Sequence, residues 1–266
     1  MNILVCVKQV PDTTEIKIDP VKNTLIREGV PAIVNPFDAY ALEAAARLKD
    51  KNPDSKIVVV SMGPEAAKNA LKECLAIAAD KAYLISGRAF GGSDTLATSY
   101  ILYNAVKKIE SIEGKFDMIF CGKQAIDGDT AQVGPELAEH LDYPQVTCAL
   151  ECEWNGEMLE VLQEGDVKRV IGVQTPCLVT FTKPGFDPRY PTVKRRLAAN
   201  RAVIDVFSDA DLEGIDGTRI GLKGSPTKVK KSFVPQKKTG GQKIDEGNAA
   251  ASVSKLVQLL SDAHVI

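Results

Sequence analysis

Residues 116–141, FDMIFCGKQAIDGDTAQVGPELAEHL, decide the fold. Met118 to Cys121 form a short apolar run of the kind that makes a buried strand. Gly122 ends it, a polar loop follows at 123–129, and an amphipathic helix carries Leu137 and Leu141 on one face. Strand, Gly-containing loop and helix start in that order place free backbone N–H groups at the carboxyl end of a sheet. Such a cluster attracts anions, because the donors and the positive end of the helix dipole point the same way. A phosphate there gains roughly 0.3–2 kcal/mol from the dipole. Asp127 and Asp129 oppose this, being anionic. Asp129 is also suited to cap the helix, with Gln132 completing a capping box. Pro135 restricts the first turn to a start near Thr130 or Ala131. Two readings stand from this stretch alone. One is an ordinary capped helix; the other has the amides of Thr130, Ala131, Gln132 and Val133 on phosphate.

Working outward, the chain alternates strands and helices. Residues 2–7, NILVCV, read as a central parallel strand. Residues 17–18 and 24–27 around DPVKN suggest a surface hairpin. Asn35-Pro36-Phe37-Asp38 starts a helix, with Asn35 capping, Pro36 at the first position and Asp38 favoured by the dipole. Residues 56–62, KIVVVSM, form a second buried strand, and Ala67, Ala70, Leu71, Cys74, Leu75 and Ala78 recur at helical spacing after it. A third strand at 82–85, a loop at 87–94 and a helix at 95–108 follow. The pattern predicts a doubly wound, mainly parallel α/β sheet, Rossmann-like, with helices on both faces. Ligands of such sheets bind at the carboxyl ends of strands where the strand order switches.

After Tyr143 the chain becomes β-rich. Residues 146–154 and 158–163 flank Asn155-Gly156, a strong hairpin signal. Residues 167–174 and 177–181 continue this extension. Residues 183–201 carry six basic residues, one acid and three prolines, which predicts a loop and a short helix. A last strand is expected at 202–207. Residues 223–243 hold seven lysines and no acid, a flexible basic segment. Val253, Leu256, Val257 and Leu260 then mark a terminal helix suited to dock on a partner chain. The expected division is a nucleotide-binding domain at 1–222 and a basic linker with a helical arm at 223–266.

Composition narrows the function. With 266 residues and a net charge of −2, no global signature of nucleic-acid binding exists. The six cysteines include no CxxC pair, which suits reduced thiols in the cytoplasm. Two histidines without metal-site spacing argue against zinc or a histidine triad. No leader and no apolar run near 18 residues is seen, so no membrane insertion is expected.

The segments VCVKQVPDT, VNPFDAYALEAA, VVSMGP, GKQAIDGDTAQVG and PRYPTVKRRLAANR together resemble the β subunit of electron transfer flavoproteins. The resemblance covers most of the chain in the family's order. It implies a heterodimer with an α subunit that carries most of the contacts to one FAD. It also implies a second adenine nucleotide in this chain, and so favours the phosphate reading above. In the conventional group that nucleotide is a structural AMP. In the bifurcating group it is FAD, which takes a hydride from NADH. One electron then goes to ferredoxin or flavodoxin, and the other crosses to the α-side FAD and on to an acyl-CoA dehydrogenase. A nitrogen-fixation-type homologue, feeding a membrane quinone, is a third possibility.

Carried over by position, the resemblance assigns nucleotide contacts to Cys6, to Asn35, Pro36, Phe37 and Asp38, and to Met62. It further assigns Gly122, Lys123, Gln124, Asp127, Gly128, Asp129, Thr130, Ala131, Gln132 and Val133. VPDT, the loop SGRAFGGSDTLATS and the basic segment resemble the bifurcating group. They place Arg88, Ser93, Asp94 and Thr95 near the flavin or NADH; Asp94 as a simple helix cap is the alternative. Gly91-Gly92 leave room for a ring system. An SGGxDS-type ATP motif fails on spacing. Arg189, Tyr190, Val193, Lys194 and Arg195 match a partner-docking loop, with Val193 where Leu is more usual. Lys194, Arg195 and Arg196 suit an acidic partner. No side chain is singled out as a catalytic acid or base, since the redox chemistry belongs to the flavin.

Overall fold

The computed structural model describes residues 1–12, 31–230 and 240–266. The hairpin expected at 17–27 lies outside them. The described residues form two compact units, one ending at Lys230 and the other comprising 240–266.

The first unit is built on β1 (Asn2–Cys6), β4 (Lys56–Met62), β5 (Lys81–Ile85), β6 (Met118–Gly122), β7 (Gln145–Trp154), β8 (Leu159–Gln163), β9 (Arg169–Val173), β10 (Cys177–Phe181) and β11 (Asp205–Phe207). These make one nine-stranded sheet in the order β11-β5-β4-β1-β6-β10-β7-β8-β9. All pairs are parallel except β7–β8 and β8–β9. The β-rich extension is therefore continuous with the parallel sheet, because β10 returns between β6 and β7. The Asn155-Gly156 hairpin joins β7 and β8. A separate small pair, β2 (Gln9–Pro11) and β3 (Ala32–Val34), is antiparallel.

Alternation along each strand sorts the core into two layers. Ile3, Val5, Ile57, Val59, Met118 and Phe120 face α1 (Pro36–Lys51) and α2 (Lys68–Ile77). Leu4, Cys6, Val58, Val60, Ile119 and Cys121 face α3 (Thr95–Glu113) and α4 (Val133–Leu141). The helix expected at 95–108 runs on to Glu113, whose carboxylate is held by Lys56 and Tyr83. Strand order reverses between β1 and β6: β4 and β5 extend the sheet on one side of β1, and β6 begins the other.

The first unit continues past the boundary expected at residue 222. The Ser225 hydroxyl accepts from the Asp94 amide at 2.8 Å, and the Thr227 amide donates to the Asp94 carboxylate at 2.9 Å. After α5 (Val193–Arg201) and the one-turn α6 (Gly221–Gly224), this segment thus closes on the start of α3. In the second unit, α7 (Ala249–Asp262) is capped by Asn248 and buries no residue; Val253, Leu256 and Val257 are exposed. A chain ending at 222 loses both bonds to Asp94. Relative to one ending at 230, its Tm should fall by roughly 4–8 °C in a thermal melt, at about 1 kcal/mol per bond. Equal Tm values would place the boundary at 222.

Candidate nucleotide site

The switch point between β1 and β6 is closed by one carboxylate. Asp38, in the first turn of α1, is 6% exposed. Its Oδ2 accepts from the Lys8 amide at 2.7 Å, and its Oδ1 from the Gly122 amide at 3.1 Å. These amides follow β1 and end β6, so a single side chain joins both strand exits. Burial pushes the Asp38 carboxyl up to about 7, against the opposing pull of hydrogen bonds from Asn35, Lys8 and Gly122. Gly122 is required here: a Cβ would lie 2.8 Å from the Asp38 nitrogen and the Phe37 carbonyl carbon. Cys6 and Cys121, register partners, line the strand ends beneath, buried toward α3 and α4. Burial and a Cys6 hydrogen bond hold the Cys121 thiol well above its ordinary value, with the Cys6 contact the larger cause. Met62 ends β4 on the same side.

Asn35 occupies the N-cap position of α1 but its side chain makes no cap. It is fully buried and reaches across instead. Its Nδ2 donates to the Gln124 carbonyl at 2.8 Å and its Oδ1 accepts from the Ile126 amide at 3.1 Å. An amide can donate at one end and accept at the other, as these two contacts require. Pro36 and Phe37 complete the turn, Phe37 packing edge-to-face on Tyr40. Lys8 adds an ion pair to Asp127 at 2.6 Å.

The loop held this way differs from the expected capping box. Asp129 does not cap; it accepts from the Gln124 side chain. Asp129 and Ala131 both adopt left-handed φ of 55°. Helix α4 starts at Val133, with Gln132 at the N-cap position making no side-chain cap. The later start follows from contacts that pull the loop onto Asn35 and Lys8, which outweigh the local capping preference. The first helical bond there runs from Glu136 to the Gln132 carbonyl at 3.0 Å, so the Val133 and Gly134 amides precede it. Gly134 lets α4 sit close: a Cβ there would meet the Thr180 methyl at 2.6 Å. Gly128, Asp129, Thr130 and Gln132 are exposed along this opening. Lys123 donates its amide to the Phe181 carbonyl at 2.7 Å, which fixes the loop to β10.

The second loop meets the start of α4 through Thr95. The Thr95 hydroxyl lies 3.2 Å from both Gln132 Oε1 and Glu136 Oε1. Burial raises the Glu136 carboxyl, and its Oε2 has no hydrogen-bond partner among the described residues. Asp94 caps α3 through the Ala97 amide at 3.0 Å, as the plainer of its two readings expects. Ser93 accepts from the Gly221 amide at 3.0 Å and so faces the 221–227 segment. Arg88 is exposed.

These features suit an adenine nucleotide. The opening lies at the switch point, the first α4 amides are free of helical bonds, and the aspartates are engaged by Lys8 and Gln124. The two loop arginines assigned to partner docking are turned inward: Arg189 onto Glu43 and Asp50, and Arg195 onto the end of α2. Tyr190, Val193 and Lys194 remain exposed.

Residues 22–212 match the electron transfer flavoprotein domain. The chain is 50% identical to electron transfer flavoprotein subunit beta of Megasphaera elsdenii over the full length of both. It is 46% identical, again over both full lengths, to caffeyl-CoA reductase-Etf complex subunit CarD of Acetobacterium woodii. Protein FixA of Azorhizobium caulinodans is 43% identical over 88% of this chain and 85% of its own.

Asp38→Asn gives one test. A carboxyl raised from 3.8 to about 7 keeps its proton in the folded chain but loses it unfolded between those values, so its contribution to stability falls as pH rises through that window. The slope reaches about 1.4 kcal/mol per pH unit. In urea melts from pH 4 to 8, Asp38→Asn should remove that slope and cost about 1–3 kcal/mol at pH 4, where an amide N–H faces one of the two donors. An unchanged pH slope refutes this balance. Asp129→Pro gives a second test, because proline cannot adopt φ near +55°. It should strip bound nucleotide while leaving far-UV circular dichroism intact; full retention on acid extraction would place the phosphates elsewhere.

Proposed function

Because the chain belongs to the electron transfer flavoprotein family as a β subunit, we propose that it binds FAD in the opening above β1 and β6 and works in electron bifurcation. In this reading it pairs with an α subunit in the cytoplasm. NADH is the donor, and the acceptors are ferredoxin or flavodoxin and, through the α-side FAD, an acyl-CoA dehydrogenase. Bound FAD would accept the hydride and divide its electrons.

The single observation that carries the reading is the contact of Thr95 with Gln132 and Glu136. It joins the start of α3, just after the Gly91-Gly92 turn where Gly92 has φ of 77°, to the start of α4. Gly91 and Gly92 are exposed, with their carbonyls held by Leu222 and Ser225, so a ligand larger than AMP would reach them at the edge of that segment. The chain's own residues bind and orient. Val133 and Gly134 amides offer donors to phosphate, while Asn35 and Asp38 hold the loop that presents them. Thr130 and Gln132 supply exposed polar groups beside them. Lys8 offsets the charge of Asp127, so the loop does not repel an anion. Similarity to a subunit of a caffeyl-CoA reductase complex supports the same reading. The exposed apolar stripe of α7 is assigned to the α subunit. Among the described residues no helix is long and apolar enough to cross a membrane.

Structural AMP is the second reading. Ser93 and Asp94 favour it, since both are committed to the 221–227 segment and not to the opening. Acid extraction of the purified heterodimer and chromatography decide between the two. The expected result is two FAD per αβ pair, with NADH-dependent ferredoxin reduction. One FAD and one AMP would overturn the bifurcating reading and leave this chain a conventional carrier subunit.

A further inference from the structure

The segment from Phe186 to Arg201 is fixed to both helices of one sheet face. Arg189 spreads over two carboxylates of α1. Its Nε donates to Glu43 Oε2 at 2.8 Å, its Nη2 to Glu43 Oε1 at 3.1 Å and to Asp50 Oδ2 at 2.7 Å, and its Nη1 to Asp50 Oδ1 at 3.2 Å. Its backbone amide also donates to Glu43 Oε2, at 3.1 Å. Glu43 is 3% exposed and would be a costly buried charge without these donors. Burial raises its carboxyl, but Arg189 and Arg47 together hold it below its ordinary value. Arg47 in turn lies 3.4 Å from the centre of the Phe186 ring. Further along, Arg195 Nη2 donates to the Leu75 and Ala79 carbonyls at 3.0 and 2.9 Å, at the C-terminal end of α2 where a cation is favoured. Thr192 caps α5 through the Arg195 amide at 3.2 Å.

Between Arg189 and Arg195, Tyr190 is 91% and Val193 78% exposed, and Leu197, just past Arg195, is 55% exposed. We propose that Arg189 and Arg195 are positioning residues: they hold the segment as a preformed arch that presents Tyr190, Val193 and Leu197, with Lys194 beside them, to the dehydrogenase partner. This rests on the reading above, in which the chain serves an acyl-CoA dehydrogenase. The physical gain is entropic. A free segment loses backbone freedom at every residue that a partner orders. An arch already fixed by a forked arginine avoids that loss on binding. The two arginines therefore act on partner affinity without touching the partner. Charge steering is left to Lys194 and Arg196, which are exposed.

The test uses the αβ complex and measures KM and kcat for a purified acyl-CoA dehydrogenase, with nucleotide content as the control for folding. Val193→Asp probes the docking surface itself. Arg189→Ala probes the anchor, with Arg189→Lys as its conservative rescue. Because Arg189→Ala strips a buried carboxylate of its partner, Asp50→Asn, at the exposed end of the fork, provides a second variant. The expected result is a KM raised at least fivefold by Val193→Asp, Arg189→Ala and Asp50→Asn at unchanged kcat, with Arg189→Lys recovering part of the loss. An unchanged KM for Val193→Asp removes the docking reading and the arch with it. A raised KM for Val193→Asp with wild-type values for Arg189→Ala and Asp50→Asn keeps the docking surface but overturns the positioning role. A fall in kcat or in nucleotide content along with KM would mean that the anchor only supports the fold, and would also overturn it.

Discussion

A carboxylate with almost no access to water holds the carboxyl edge of this sheet together. Asp38 accepts from amides that follow β1 and end β6, the two strands between which the order reverses. Desolvation favours its neutral form, and two backbone donors favour its charge. Burial is the larger effect and leaves the carboxyl at about 7. Much else follows from this bond. The first turn of α1 must approach β6 so closely that residue 122 can carry no Cβ. Asn35, one turn earlier, is thereby brought within reach of the loop after β6, and its amide sets the path of that loop.

That path explains why two aspartates are tolerated beside a proposed phosphate site. Asp127 is drawn to Lys8 and Asp129 to Gln124, both at the same end of the sheet. Strain accompanies this: two non-glycine residues hold left-handed φ, a conformation that surrounding contacts must over-determine to persist. Asn35, Lys8 and the Phe181 carbonyl provide those contacts. The outcome is a loop shaped by its neighbours, with the Val133 and Gly134 amides ahead of the first helical bond of α4.

The same facts explain what could be read from the sequence. Buried strands such as Lys56–Met62 and the amphipathic helix after them were legible because their signals are local and periodic. Gly122, Asn35 and Asp38 were legible as a set, through their motif, but their roles were not. Asn35 looks like a cap and is a bridge; Asp38 looks like a dipole complement and is a clamp. The start of α4 was placed too early, since Asp129 and Gln132 have the right residue types for a capping box and only tertiary contacts withhold it. Ser225 and Thr227 gave no signal inside a lysine-rich stretch, yet they finish the cap region of α3. Counting charges at 183–201 could not tell a free arginine from a committed one. The partners of Arg189 lie far away in the chain, on α1.

Helix α1 connects these two halves of the molecule's surface. Asp38 sits in its first turn, Glu43 near its middle and Asp50 in its last. At 1.5 Å per residue the clamp and the far end of the arginine fork are about 18 Å apart along one rigid axis. Ala41, Leu42, Ala45 and Leu48 bury the facing side of that helix against the sheet, so it has little freedom to shift alone. The strand exits are thus fastened to the first turn of a single packed element, and the arch to its middle and last turn. A ligand seated over β1 and β6 and a protein seated on Tyr190 and Val193 would be held in a set relation by α1.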